Sequence, residues 1–340
     1  MMDRTYNEQV RKDEWTVLIM NKHAHGWVTA DGTLNEQAIT SREQLYKGMN
    51  GRYVERFTVH TGESYIFKPL TNLGQHGRER WISMHVLSLL PSIYPRLIDS
   101  SDEAIAPEQS WLIYEDLGPL VHDLQEGAML SAAVHMAEWH TLWVPQWDEL
   151  PRVGQKPSIG NMLQELWDAQ ESTDELLSKL GMTFSAPAWD QIRALIQTAD
   201  QELPLVLCHG DLHPGNMADV NGRLVIIDWE HAHLNTPLWD VYHLVDLSHP
   251  LFPRHVTPQL RERIIQTYLN ELEQRGQRVE RISFRRWYAA YAIVFSLWML
   301  RLIDSDLKKE DCVWPEEQLR NQWNETATTL EQCMNQLFTE

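Results

Sequence analysis

Two short segments concentrate the side chains that could do chemistry: Leu205-Val-Leu-Cys-His-Gly-Asp-Leu-His-Pro-Gly-Asn-Met, and Leu224-Val-Ile-Ile-Asp-Trp-Glu. An apolar run delivers His209, Gly210 and Asp211 into a loop, and Asn216 follows five residues after Asp211. A turn at Asn221-Gly222 then leads to a second apolar run that ends in Asp228. Two carboxylates and a carboxamide at adjacent strand ends are hard oxygen donors. They suit Mg²⁺, which takes oxygen ligands and often shares them with substrate phosphates. The remaining carboxylate can orient an attacking hydroxyl and accept its proton. Asp or Asn alone in a loop would ordinarily serve a turn; it is the joint pattern of Asp211, Asn216, Asp228 and two flanking strands that points to chemistry.

The elements that must position these groups divide the chain near residue 118. Before it the sequence reads as sheet with one helix. Residues 14–20 form a short strand, and Tyr53–His60 and Ser64–Pro69 are β-rich runs separated by the hairpin punctuation Thr61-Gly62-Glu63. Lys47-Gly48-Met49-Asn50-Gly51 is a turn between strands, and Ser64-Tyr-Ile-Phe-Lys-Pro places Lys68 near the end of a strand. Residues 76–90 put Trp81, His85, Leu89 and Ile82, Val86 on one helical stripe that Pro91 stops. Trp111–Tyr114 is a short strand running into Glu115-Asp116-Leu117-Gly118. After Gly118 helical stretches dominate, at about 128–145, 160–180, 186–201, 257–275, 278–303 and 316–338. Asp240, just before a helical run, reads as an N-cap, with a second role behind the Asp211 loop.

With these residues in place, HGDLHPGN followed by IIDWE resembles the catalytic and metal loops of the aminoglycoside phosphotransferase and choline kinase family, small-molecule kinases with a protein-kinase-like fold. The family pattern is HGDxxxxN and then [IV]D[WF]E about a dozen residues on; here Asn216 and Asp228 are twelve apart. The likeness is best over roughly 45–245. It implies Asp211 as catalytic base, Asn216 and Asp228 as Mg²⁺ ligands, and His209 as a brace for the loop. It also implies an ATP cradle upstream, with Lys68 on the α/β-phosphates and paired with a helix glutamate. Glu79 is the natural partner and Glu63, in the hairpin turn, the weaker one. Gly48 and Gly51 would form the turn near the nucleotide, although this is not a GxGxxG motif. The Glu115 carbonyl and the Leu117 amide would bond the adenine, with Tyr114 behind it.

The expectation is an α+β, bilobal protein-kinase-like fold: an extension at 1–34, a small lobe with a five-stranded antiparallel sheet at 35–118, and a helical lobe at 119–340. Its reaction would be ATP- and Mg²⁺-dependent phosphoryl transfer to a hydroxyl of an aminoglycoside-, choline- or homoserine-like molecule. Two other classes compete. His209, Asp211, His213, Asp228, His231 and His233 could form a dinuclear hydrolase centre. A kinase-like scaffold of the spore-coat kind is the other, though Lys68, Glu79, Asp211, Asn216 and Asp228 are all present.

Composition bounds the partners. The 340 residues carry 29 Lys and Arg against 48 Asp and Glu, a formal charge of −19, which opposes nucleic-acid binding. Three cysteines are too few and scattered for a disulfide framework or a thiolate zinc site. The apolar run Ala289–Leu300 is shorter than the roughly 20 residues of a bilayer span, and the N-terminus lacks an apolar leader, so a cytoplasmic protein without membrane contact is expected. Of fifteen tryptophans, only one or two of Trp287, Trp298, Trp314 and Trp323 could line a site for a quaternary ammonium; the rest read as core.

Overall fold

The computed structural model describes residues 26–48, 50–102, 104–122, 125–143, 149–309 and 311–339. The strand expected at 14–20, Met49 of the glycine turn and the end of the helix expected at 128–145 lie outside them. The described chain forms two compact units, one up to Ser88 with Tyr94–Gly118, the other Leu89–Ile93 with the residues from Pro119 on.

The first unit is a five-stranded antiparallel sheet of β1 (Ile39–Lys47), β2 (Tyr53–Val59), β3 (Ser64–Pro69), β4 (Leu97–Ser100) and β5 (Trp111–Glu115), in the order β1-β2-β3-β5-β4. Alternation along β2 and β3 sends Phe57, Val59 and Phe67 to one face, where they pack with Leu34, Ile39, Trp111 and Ile113. Trp27 closes this cluster, its ring centroid 4.7 Å from that of Tyr65 and 5.7 Å from that of Phe57. Residues 26–34, assigned to an extension from sequence, thus contribute to the small unit's core. The turn after β1 is tight: the Gly48 N–H donates to the Arg52 carbonyl and the Gly51 N–H to that of Gly48. Gly51 has φ +84°, and a Cβ on Gly48 would stand 2.3 Å from Thr71. The helix expected over 76–90 is shorter: α1 spans Arg78–His85, and a 3-10 turn follows at Leu87–Leu89. Ile82 and Val86 are buried, but Leu89 is 47 % exposed.

The second unit is mainly helical: α2 (Glu126–His140), α3 (Ile159–Asp168), α4 (Gln170–Lys179), α5 (Ala186–Glu202), α6 (Leu238–Val245), α7 (Pro258–Gln274), α8 (Arg281–Asp306) and α9 (Glu316–Thr339). The single helix expected over 160–180 is broken at Ala169, where the Thr173 hydroxyl bonds the carbonyls of Leu166 and Ala169. α8 is longer than its apolar run suggested. It has the length and mean hydropathy (1.2) to cross a membrane, but 78 % of that window is buried inside the protein, where α8 packs on α3, α5 and α9 as a core helix. Two small antiparallel ribbons carry the chemistry-bearing loop: β6 (Val206–Cys208) pairs with β9 (His233–Asn235), and β7 (Met217–Val220) pairs with β8 (Arg223–Ile226).

Candidate active site

β6 ends at Cys208, and the next three residues turn through Gly210, whose φ is +91°. Only glycine fits there, because a Cβ would stand 2.1 Å from the His231 carbonyl oxygen. Asp240 holds the turn from behind. Its Oδ2 accepts the His209 N–H at 2.7 Å and its Oδ1 the Gly210 N–H at 3.1 Å, while Trp139 Nε1 (3.1 Å) and His140 Nε2 (3.3 Å) donate to Oδ2. The expected N-cap role is corrected: the cap is Pro237, and Asp240 sits in the first turn of α6 with its carboxylate given to the loop. Burial opposes that charge, but the His140 hydrogen bond and the neighbouring donors outweigh it and keep the carboxyl ionised well below the usual range.

His209 braces the loop. Its Nε2–H donates to the Ile227 carbonyl at 2.9 Å, and its Nδ1 accepts the Asp211 N–H at 3.3 Å. That tautomer is neutral, in accord with burial lowering its pKa. Trp229 lies against the ring, centroids 4.6 Å apart. The Ile227 N–H donates to the Asn216 carbonyl at 3.0 Å, which fixes the end of β8, and Asp228 after it, beside Asn216. Asn216 Nδ2 donates to the Asp211 carbonyl oxygen at 2.9 Å, leaving Oδ1 as the atom offered to a cation. Asp228 has φ +66°, a left-handed conformation uncommon for a residue with a side chain and concentrated at functional sites.

The Asp211 carboxylate faces Lys156 Nζ at 3.4 Å through Oδ1 and His213 Nε2 at 3.5 Å through Oδ2. His213 Nδ1 accepts the Gly215 N–H, so the Nε2 that faces Asp211 carries the hydrogen. Burial alone would raise the Asp211 carboxyl; Lys156 and His213 outweigh it and hold it well below the usual carboxylate range. Beyond His213 the wall is aromatic: His249 stacks on it at 4.5 Å, with Phe252 at 5.8 Å from His213 and Trp314 at 5.7 Å from His249. Of the tryptophans considered from sequence, Trp314 is near this wall, whereas Trp287 and Trp298 are buried in the α8 core.

In the small unit, β3 and α1 bring Lys68 Nζ to 2.6 Å from Glu79 Oε2. Glu63 stays in its hairpin, where its Oε2 accepts the Thr61 hydroxyl. Tyr114 is buried beside the pair, and burial, reinforced by the Glu79 carboxylate, pushes its phenol up. Glu115 ends β5, its carboxylate accepting the Arg96 N–H at 2.8 Å, and Leu117 lies on the segment to Gly118. Sequence reasoning missed Asp116, which pins that segment by accepting Arg56 Nε (2.7 Å), the Ser64 hydroxyl (2.8 Å) and the Gly118 N–H (2.9 Å). It also missed Lys156, a lone lysine in a polar loop with no local signal.

A family model described as the phosphotransferase enzyme family (APH) matches residues 86–279, more than half of the chain. Protein LicA of Haemophilus influenzae (strain ATCC 51907 / DSM 11121 / KW20 / Rd) is 30 % identical over 113 residues, 33 % of this chain and 37 % of LicA. The chain thus spans about a third of the length of the curated relatives it matches. Among solved structures, a choline kinase from Cryptosporidium parvum Iowa II is 15 % identical with a TM-score of 0.57, over 92 % of this chain and 94 % of that one. An aminoglycoside phosphotransferase from Alicyclobacillus acidocaldarius subsp. acidocaldarius DSM 446 is 14 % identical with a TM-score of 0.55, over 90 % and 94 %. At these identities the likeness is one of fold, and it is the α+β kinase-like fold expected from the sequence. By the family match over residues 86–279, the chain belongs to the phosphotransferase enzyme family.

Proposed function

We propose that this enzyme transfers the γ-phosphoryl group of ATP to a hydroxyl of a small molecule, with Mg²⁺ held by Asn216 and Asp228. The observation that carries the reading is the set of bonds at Asn216: its amide nitrogen donates to the Asp211 carbonyl, and its own carbonyl accepts the N–H of Ile227, the residue before Asp228. A carboxylate and a carboxamide oxygen fit Mg²⁺, and Asp228 holds a strained backbone conformation at that place. When bound, Mg²⁺ neutralises charge that develops on the β- and γ-phosphate oxygens.

The chain's own groups do the rest. Asp211, kept ionised by Lys156 and His213, accepts the hydrogen bond of the acceptor O–H and orients its oxygen toward Pγ. The acceptor oxygen bonds to Pγ, the bond from Pγ to the bridging oxygen breaks, ADP leaves with that electron pair, and the hydroxyl proton passes to Asp211. Lys68, oriented by Glu79, meets the α/β-phosphates. Backbone groups at Glu115 and Leu117 receive the adenine, and Gly48 and Gly51 shape the turn near the phosphates. The aromatic wall of His213, His249 and Trp314 suits an acceptor with an aminated or ring-shaped body.

The hydrolase reading loses His209 and His233, and one nitrogen of His213, in this arrangement. His209 has both ring nitrogens on backbone groups, His213 Nδ1 is taken by Gly215, and His233 is held between the His231 carbonyl and Asn235. The test is ADP release from Mg·ATP across choline, ethanolamine, homoserine and aminoglycoside acceptors, with and without chelator. One acceptor raising ADP release in a Mg²⁺-dependent manner is expected. Tightly held stoichiometric zinc or iron, with phosphoester hydrolysis instead, would overturn the reading.

A further inference from the structure

Lys156 reaches Asp211 because its loop is anchored on both sides. Upstream, the Leu234 N–H of β9 donates to the Pro151 carbonyl at 2.8 Å. Gly154 lies flat on the His233 ring, where a Cβ would stand 2.5 Å from Cε1. That ring is itself fixed, Nδ1–H donating to the His231 carbonyl at 2.9 Å and Nε2 accepting from Asn235 at 3.1 Å. Downstream, the Ser158 hydroxyl caps α3 by accepting the Asn161 N–H. Between these anchors the Lys156 side chain is only 16 % exposed, and its ammonium stands 3.4 Å from Asp211 Oδ1. β9 pairs with β6, the strand that carries the Asp211 loop, so lysine and carboxylate share one support.

A cation against a base weakens the base, so its presence calls for a compensating role. Burial lowers the pKa of His231, His243 and His249 and keeps them neutral near pH 7, and it is the Lys156 ammonium that faces the Asp211 carboxylate here. In a loose phosphoryl transfer the demand on the base is small, while negative charge is spread over the equatorial oxygens of the transferring group. A preorganised cation at that place lowers the barrier.

We propose that Lys156 is a further catalytic residue, whose ammonium takes the equatorial oxygens of the phosphoryl group as it passes from the ADP oxygen to the acceptor oxygen. The inference rests on the phosphoryl-transfer reading above, and the bonds made and broken are those already given.

The test uses the full chain and Mg·ATP with water as acceptor, following single-turnover ADP release together with the Mg·ADP dissociation constant. Lys156→Met, which keeps the apolar stem, is expected to release ADP about a hundredfold more slowly, as when one preorganised charge stabiliser is removed. Its Mg·ADP affinity should stay within about twofold of wild type, because ADP lacks the group that Lys156 meets. Lys156→Arg should restore most of the rate, which a merely structural role would not require. A Lys156→Met rate within about threefold of wild type, or an equal loss of Mg·ADP affinity, overturns the inference. Asp211→Asn separates the failures. If it is slow while Lys156→Met is not, only the lysine's role falls; if neither is slow, the phosphoryl-transfer reading falls too.

Discussion

Lys68 and Glu79 meet between a strand and a helix, their side chains 14 % and 11 % exposed. Asp211 stands on a loop whose backbone is held by Asp240, whose turn demands Gly210, and whose brace His209 is packed under Trp229. The first arrangement can lose its function without its fold. In the second, the residues that place the reactive group are also core residues, so function and stability fall together. The comparison separates positions by what their loss does to folding.

Asp240→Asn should break this contrast most sharply. The isosteric amide removes the charge that four donors converge on and turns an N–H toward at least one of them. A stability loss of about 2–4 kcal/mol is expected, with activity lost in parallel. Thermal or urea unfolding against activity checks it; a variant with wild-type stability would mean the loop does not depend on Asp240.

Acid should weaken the same unit next. Burial lowers the pKa of His231 to about 4, of His243 to about 3 and of His249 to about 4. A folded pKa below the unfolded value of roughly 6.5 means that the unfolded chain binds protons first as pH falls. Their contribution is therefore complete above about pH 6.5 and is lost between there and about pH 4 for His231 and His249, and down to about pH 3 for His243, each group adding up to about 1.4 kcal/mol per pH unit. Urea unfolding across that window should show the slope, and His243→Phe should flatten it. An unchanged slope would mean another group titrates.

The smallest effect on stability belongs to the small unit. Lys68→Met and Glu79→Gln should each cost less stability than Asp240→Asn, the pair having one charge to lose rather than four converging donors, while raising the ATP KM about tenfold to a hundredfold, the value of a charge-assisted contact. Because the two act as one unit, the double variant should be little worse than Lys68→Met alone. Fully additive losses would show that Glu79 does not act through Lys68.

Much of this contrast was legible in the sequence, and the gaps have causes. Of the small unit's five strands, β2, β3 and β5 read from the sequence as β-rich runs beside turns, whereas β1, exposed along nearly its whole length, and the four-residue β4 show no alternation; the order of strand, lysine, helix and glutamate pointed to the pair that the fold brings together. The break at Ala169 left no mark, since no Gly or Pro interrupts the helical pattern and the stop comes from Thr173 folding back on the preceding turn. β7 and β9 carry polar residues, Asp219 in one and His233 and Asn235 in the other, and so do not stand out as the equally short β6 and β8 do, which read as apolar runs. Asp240 read as a cap because its local setting favours one; its partners lie about 30 to 100 residues away, beyond any local pattern. Lys156 is in the same position, brought to Asp211 across 55 residues by an anchored loop.

Asp211→Asn, assayed with the acceptor found by the panel, tests the central claim most directly. The kcat should fall by about 10²–10⁴, the contribution of a positioned base, while thermal stability and Mg·ATP affinity stay near wild type. A folded variant that keeps more than about a tenth of the wild-type kcat would contradict it.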